Sequence, residues 1–183
     1  MKLLIHICCA PDATIGIERL TDRGQAEGYF YNPNIHPEEE YQRRFDALKS
    51  LSAATGFPFF EGPYDPAPWH EEVKGLEDEP EKGMRCVRCI RLRLRETARM
   101  ARERGFDHFA AVLTVSPHKD ADMVNRIGRE AAAEFGVHYL PTNLKKKDGF
   151  KSSVQFSRIY GLYRQDYCGC VYSLRPDRQH LDK

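Results

Sequence analysis

The sequence predicts an α/β protein: one domain on a doubly wound, mostly parallel sheet of about five strands, completed by a cysteine-bearing extension over residues 145–183. Three observations lead there. Strand-like apolar runs alternate with stretches of helical period along most of the chain. The first run, Leu3 to Ile7, has the apolar character of a strand covered on both faces, which is the habit of parallel sheets. Finally, 183 residues with 41% hydrophobic content are enough for one full core, and no apolar run approaches the ~20 residues that span a bilayer. Met1-Lys2 leads straight into the strand pattern and not into a signal peptide, so a cytoplasmic protein with reduced thiols is expected.

Taken in order, Leu3 to Ile7 is the first strand, and Pro11 with Asp12 and Thr14 marks the start of a helix that runs through Thr14 to Arg23 until Gly24 stops it. Gly28 to Pro33 is an aromatic second strand. Pro37 with Glu38, Glu39 and Glu40 opens a long helix, acidic where the amino end is positive, with Phe45, Leu48, Leu51 and Ala54 on one face and Gly56 as its stop. Phe57 to Phe60 is a third strand. Gly62 to Gly83, with prolines at 63, 66, 68 and 80, reads as a long loop around a short helix at Trp69 to Lys74. From Cys86 to Gly105 the period is helical again. His108 to Thr114 is a fourth strand, Ser116 to Lys119 its exit loop, Asp120 to Phe135 a helix and Val137 to Leu140 a fifth strand. A polar loop, Lys145 to Ser152, precedes a helix over Ser153 to Tyr163 and a non-repetitive, tyrosine-lined end.

The six cysteines fall in three groups: Cys8-Cys9, Cys86-x-x-Cys89 and Cys168-Gly-Cys170. In a reducing compartment such clustering points to metal or redox chemistry more than to a disulfide framework. Cys8 and Cys9 sit at the carboxyl end of the first strand, the edge where open α/β sheets bind ligands. Two thiolates one turn apart at a helix start, Cys86 and Cys89, face one centre, and the helix amides lower their pKa. Structural zinc would use the same count of four sulfurs. Zinc sites usually pair two spaced knuckles, however, and an iron–sulfur cluster, being larger than one ion, tolerates the irregular Cys8-Cys9 spacing. Cys168 and Cys170 fit either a strained, easily reduced disulfide or two ligands to one metal. Asp12 either caps the first helix or lends a carboxylate to a metal or a proton to substrate. His118 and Lys119 fall on the same sheet edge as Cys8.

A net charge of +1 gives no global case for nucleic acid. Locally, eight arginines against two glutamates lie between Arg85 and Arg104. Arg91, Arg95, Arg99 and Arg102 share an outer helix face, and Lys145-Lys146-Lys147 adds a second basic spot. These are either a solvated face or contacts to the phosphates of a polyanion, with Arg91, Arg95, Arg99 and Lys145 the candidates.

A series of motifs runs nearly end to end: Leu-Ile-His-Ile-Cys8-Cys9-Ala-Pro; Tyr31-Asn32-Pro-Asn-Ile-His-Pro with Glu40, Tyr41 and Arg44; Cys86-x-x-Cys89 with its arginine- and leucine-rich continuation; Leu113-Thr-Val-Ser-Pro-His118-Lys119; and Tyr163-Arg164-Gln165-Asp-Tyr-Cys168-Gly-Cys170-Val-Tyr-Ser. The series resembles the QueH-type epoxyqueuosine reductases. The resemblance implies a HUP-like (Rossmann-like) fold and a cobalamin-independent, iron–sulfur-dependent reduction of epoxyqueuosine to queuosine at the wobble position of tRNA. It further implies that Cys8, Cys9, Cys86 and Cys89 bind a [4Fe-4S] cluster and that Cys168 and Cys170 form a redox-active pair. A second, mononuclear iron near Asp12, Cys168 and Cys170 is the alternative use of that pair; many members of the family carry a further cysteine where this chain has Asp12. The expected catalytic residues are therefore Cys168, Cys170 and Asp12. Tyr31, Asn32, Arg44, His118, Lys119, Tyr163, Arg164 and Gln165 are the expected substrate contacts. The electrons require an external reductant that no motif encodes.

Two competing readings follow from the residues alone. A zinc-stabilised nucleic-acid-binding module would use the same thiols without redox chemistry. A nucleotidyl-transferase relative is weaker, because the first loop lacks a glycine-rich phosphate cradle.

Overall fold

A computed structural model describes residues 1–174; residues 175–183 of the expected extension lie outside the described part. Five strands, β1 (Lys2–His6), β2 (Gln25–Phe30), β3 (Phe59–Glu61), β4 (His108–Ala111) and β5 (His138–Tyr139), form one parallel sheet in the order β3-β2-β1-β4-β5. Six helices accompany them: α1 (Ala10–Leu20), α2 (Glu38–Thr55), α3 (Ala67–Val73), α4 (Met84–Glu103), α5 (Ala121–Phe135) and α6 (Gly149–Ile159).

Alternation along β1 assigns the two faces of the sheet. Leu3, Ile5 and Ile7 enter one core with Ala13 and Ile15 of α1 and Leu48 and Leu51 of α2. Leu4 enters the other, with Ile90, Leu94 and Ala98 of α4 and Val124 and Ile127 of α5. Both faces of the central strand are thus dry, which is why its sequence is an apolar run and not a polar–apolar alternation. Each such side chain contributes about 1.5–3 kcal/mol when fully buried.

Several boundaries differ from the sequence expectation. The first helix starts at Ala10, not Thr14, because Cys9 is still extended (φ −166, ψ 157) and the proline behind it is already in the first turn. Asp12 does not cap it: Cys9 is the N-cap residue, and no side chain caps the helix. The fourth strand ends at Ala111, and Val112–Val115 turns into a buried 3-10 helix. Its pairing with β1 ends at His6↔Ala111, while β1 continues toward β2 through the Ile7 N–H to Tyr29 carbonyl bond of 2.8 Å. The last helix begins four residues early, at Gly149, behind a turn in which Lys147 and Asp148 both take positive φ (52 and 57). That polar composition disguised a turn and a helix start as one loop.

The strand order sets the place of the site. From β1 the chain moves outward through β2 to β3, then returns to lay β4 on the other side of β1. Between β1 and β4 the winding reverses, and the loops at the carboxyl ends of those strands diverge to leave a crevice.

Candidate active site

That crevice holds a cavity of about 780 Å³, lined by Cys8 and Asp12 after β1, Ser116, His118 and Lys119 after β4, Arg43 and Arg44 of α2, Arg93 of α4, and the segment Tyr163–Cys168. Its volume is that of a small-molecule site.

On the β1 side, Cys8 Sγ lies 3.8 Å from Cys9 Sγ and 3.7 Å from Asp12 Oδ2. One donor atom from each of the three falls within 4.8 Å of the others, and this is the one group of that kind among the described residues. Asp12 is turned toward the cysteines, and its burial raises the carboxyl to about 6, against a downward pull from Cys8 and Arg164. Hydrogen bonding to Cys8, then burial, then Asp12 push the Cys9 thiol well up. A bound cation would favour the deprotonated forms of these donors.

On the α4 side, Cys86 and Cys89 lie in the first two turns, and the Lys82 N–H donates to Cys86 Sγ over 3.3 Å. Cys89 packs with Trp69, Val73 and Cys170. Lys119 reaches across from the β4 loop and places Nζ 3.2 Å from Cys168 Sγ. The negative charge of Cys168 is the main cause of the upward shift of Lys119, with Cys86 and Cys89 adding to it, so one ammonium faces three sulfurs. Burial alone would raise the Cys168 thiol, but Lys119, Arg93 and Arg44 together bring it below the ordinary range. Burial leaves Cys170 raised. All six cysteines are free, so Cys168 and Cys170 are not joined in a disulfide.

The segment bearing Cys168 is held from below. Arg44 donates to the carbonyls of Tyr167 and Cys168, both at 3.1 Å, and is itself paired with Glu40 Oε1 at 2.6 Å. The Tyr163 hydroxyl donates to the other Glu40 oxygen over 2.8 Å, and the His36 N–H to the Gly169 carbonyl over 2.7 Å. Gly169 takes φ +108, and a Cβ there would stand 3.0 Å from Arg44 Nη1 and Ile35 Cγ1, so the position admits only glycine without strain.

A family model described as epoxyqueuosine reductase QueH matches residues 3–176. The Streptococcus pyogenes serotype M1 protein of that name is 42% identical over 180 residues, covering 95% of this chain and 71% of its own length. The Thermotoga maritima protein of the same name is 38% identical over 180 residues, covering 97% of this chain and 92% of its own. This chain belongs to the epoxyqueuosine reductase QueH family.

In this QueH-family chain the motif residues mostly converge on the cavity. Cys8, Asp12, Asn32, Arg44, His118, Lys119, Tyr163, Arg164, Gln165 and Cys168 all line it. Asn32 is fully tied, its amide donating to the Ile7 carbonyl and its oxygen accepting from Arg93. Arg164 donates to Ser153 O and Ser157 Oγ. Tyr31 lies elsewhere: its ring is in the α4–α5 core, stacked on Tyr29 with centroids 5.9 Å apart. Arg91 and Arg95 pair with Glu130 and Glu134 of α5, and Arg99 with Glu96 and Glu103 of its own helix. Lys145 donates to the Lys119 carbonyl at 2.6 Å and so braces the loop that carries Lys119.

Among the cavity residues that escaped the sequence reading are Asn34, whose buried Oδ1 has no partner, Glu40 as the anchor of the Cys168 segment, Arg43 and Arg93. Only Arg93 had a usable signal. It follows Cys89 by four residues and so shares the face of the cysteines, off the outer stripe.

Proposed function

We propose that this chain reduces epoxyqueuosine to queuosine at the wobble position of tRNA, using an iron–sulfur centre and no cobalamin, in the cytoplasm. The observation that carries the reading is the coincidence of family membership over residues 3–176 with a cavity at the strand ends that the free thiols of Cys8 and Cys168 both line. The donor set fits the centre: Cys8, Cys9, Cys86 and Cys89 as ligands of a [4Fe-4S] cluster, with two cations, the buried Arg93 and the half-buried Lys119, to offset the negative charge of thiolates. The close Cys8–Cys9–Asp12 group also supports a role for Asp12 beside a metal.

Removing the epoxide oxygen as water to leave an alkene takes two electrons and two protons. The bound cluster supplies electrons singly. The protein supplies the protons and the position. Asp12, with its raised pKa of about 6, and the Lys119 ammonium both border the cavity and can donate to the departing oxygen. Cys168, the thiol held low, is the candidate to pass the second electron as a thiolate; the thiyl left behind would bond to the Cys170 thiolate as a disulfide radical anion, and one electron from the external reductant with two protons would return the pair to thiols. Tyr163, Arg164 and Gln165 are the proposed contacts to the base, and Asn32, tied to Ile7 and Arg93, holds the cavity wall behind them. Because Arg91, Arg95 and Arg99 already meet carboxylates, the phosphate contacts are proposed on the side of Lys145, which bonds the Lys119 carbonyl of the cavity loop. No helix among the described residues is long and apolar enough to cross a membrane.

Purification without oxygen tests the reading directly. Brown protein with broad absorbance near ~400 nm, carrying iron and sulfide and consuming epoxyqueuosine tRNA with a chemical reductant, is expected. Colourless protein with stoichiometric zinc and no iron would overturn it.

A further inference from the structure

Three arginines are buried to 4% exposure or less, and two of them are compensated. Arg44 has the Glu40 carboxylate at 2.6 Å. Arg85 donates to the carbonyls of Leu76, Glu77 and Glu79 and lies over the Tyr172 ring, 4.9 Å from its centroid, so it ties down the loop before α4. Arg93 has neither arrangement. At 2% exposure it makes one hydrogen bond, from Nη2 to Asn32 Oδ1 at 2.8 Å, and its Nε has no acceptor. Guanidinium stays charged at any ordinary pH, and burying such a charge unpaired costs several kcal/mol. A fold does not place it there for packing. What surrounds it is the redox site: Arg93 lines the same cavity as Cys8 and Cys168 and stands one helical turn beyond Cys89.

We propose that Arg93 is the fixed countercharge of the redox centre and raises its reduction potential. The inference rests on the iron–sulfur reading above. When the centre takes one electron from a low-potential one-electron donor, no bond forms or breaks, but the centre becomes one charge more negative. A cation held in a region of low dielectric stabilises that reduced form more than the oxidised one, so the centre becomes easier to reduce. Arg93 is a positioning and tuning residue in this role; it need not touch substrate. Asn32, whose own amide is fixed on the Ile7 carbonyl, keeps the guanidinium from turning away.

The test compares wild type with Arg93→Gln, Arg93→Met and Arg93→Lys, all purified without oxygen. Iron and sulfide are counted, and the midpoint potential is read by dye-mediated titration followed by electron paramagnetic resonance. Both neutral variants should shift the one-electron equilibrium about tenfold toward the oxidised form, equivalent to about 59 mV, while Lys stays near wild type. Loss of iron from both neutral variants with retention in Lys would support the same charge requirement. Equal midpoints in all four proteins would overturn the inference, as would a Lys variant displaced as far as Gln, since shape and not charge would then be responsible. If wild type itself lacks iron, the reading of the site falls and this inference with it. Iron-loaded proteins of equal potential would remove this inference alone.

Discussion

Lys119 and Cys168 make the most reactive contact in the cavity, because an ammonium 3.2 Å from a sulfur outweighs the burial that would otherwise keep the thiol protonated. Replacing Lys119 by Met leaves burial in charge. The Cys168 pKa should rise, and the pH profile of its alkylation, read peptide by peptide in mass spectra of iron-free protein, should move to higher pH. An unmoved profile would show that Lys119 does not set the thiol. Glu40 is the second residue on which the site depends. It is 5% exposed, pairs with Arg44 and accepts from Tyr163, so Glu40→Gln strands a buried guanidinium. A loss of about 3–5 kcal/mol in urea unfolding is expected, together with faster alkylation of Cys168 as its carbonyl anchors loosen.

At the level of elements, α4 serves two neighbours with two faces. Its inner face carries Cys89, Ile90, Leu94 and Ala98, and its arginines Arg91 and Arg95 reach carboxylates on α5. Such exposed pairs are worth ~0–1 kcal/mol each. Arg95→Gln should therefore change stability by no more than that, and it should leave the salt dependence of tRNA binding unaltered; a flatter slope would mean that the arginine meets a phosphate. Arg99 stands thirteen residues beyond Cys86, about 20 Å along the axis at the α-helical rise, and so points away from the cavity edge. The contact of α5 with β5 is tighter. A Cβ on Gly128 would lie 2.4 Å from ring atoms of Tyr139, whose hydroxyl donates to Asn125 Oδ1. Since neither ring nor helix backbone can give way cheaply, Gly128→Ala should cost about 1–3 kcal/mol and lower the melting temperature.

Across the whole molecule, segments far apart in the chain bring Cys8 and Cys168 to one cavity, while Cys89 and Cys170 pack together beside Trp69. Serine at Cys86 or Cys89 should strip iron, because an alkoxide is a poor substitute for a thiolate. Serine at Cys168 should abolish turnover yet leave iron and absorbance nearly intact; collapse of the spectrum there would reassign Cys168 as a cluster ligand. Sequence by itself determined the parallel α/β class, because dry strands such as Leu3 to Ile7 and amphipathic helices such as α4 leave periodic signals in local composition. It also determined the family and the cavity residues from Cys8 and Asp12 to Tyr163 and Cys168 that lie in contiguous motifs. Only the tertiary structure decided that Tyr31 belongs to the core, that Arg91 and Arg95 of the stripe face glutamates of α5, and that Arg93 lies buried beside the cavity with Asn32 and no salt bridge among the described residues. A charge's meaning depends on which distant groups share its dielectric surroundings, and that is set by how β4 returns beside β1, not by the residues next to it in the chain.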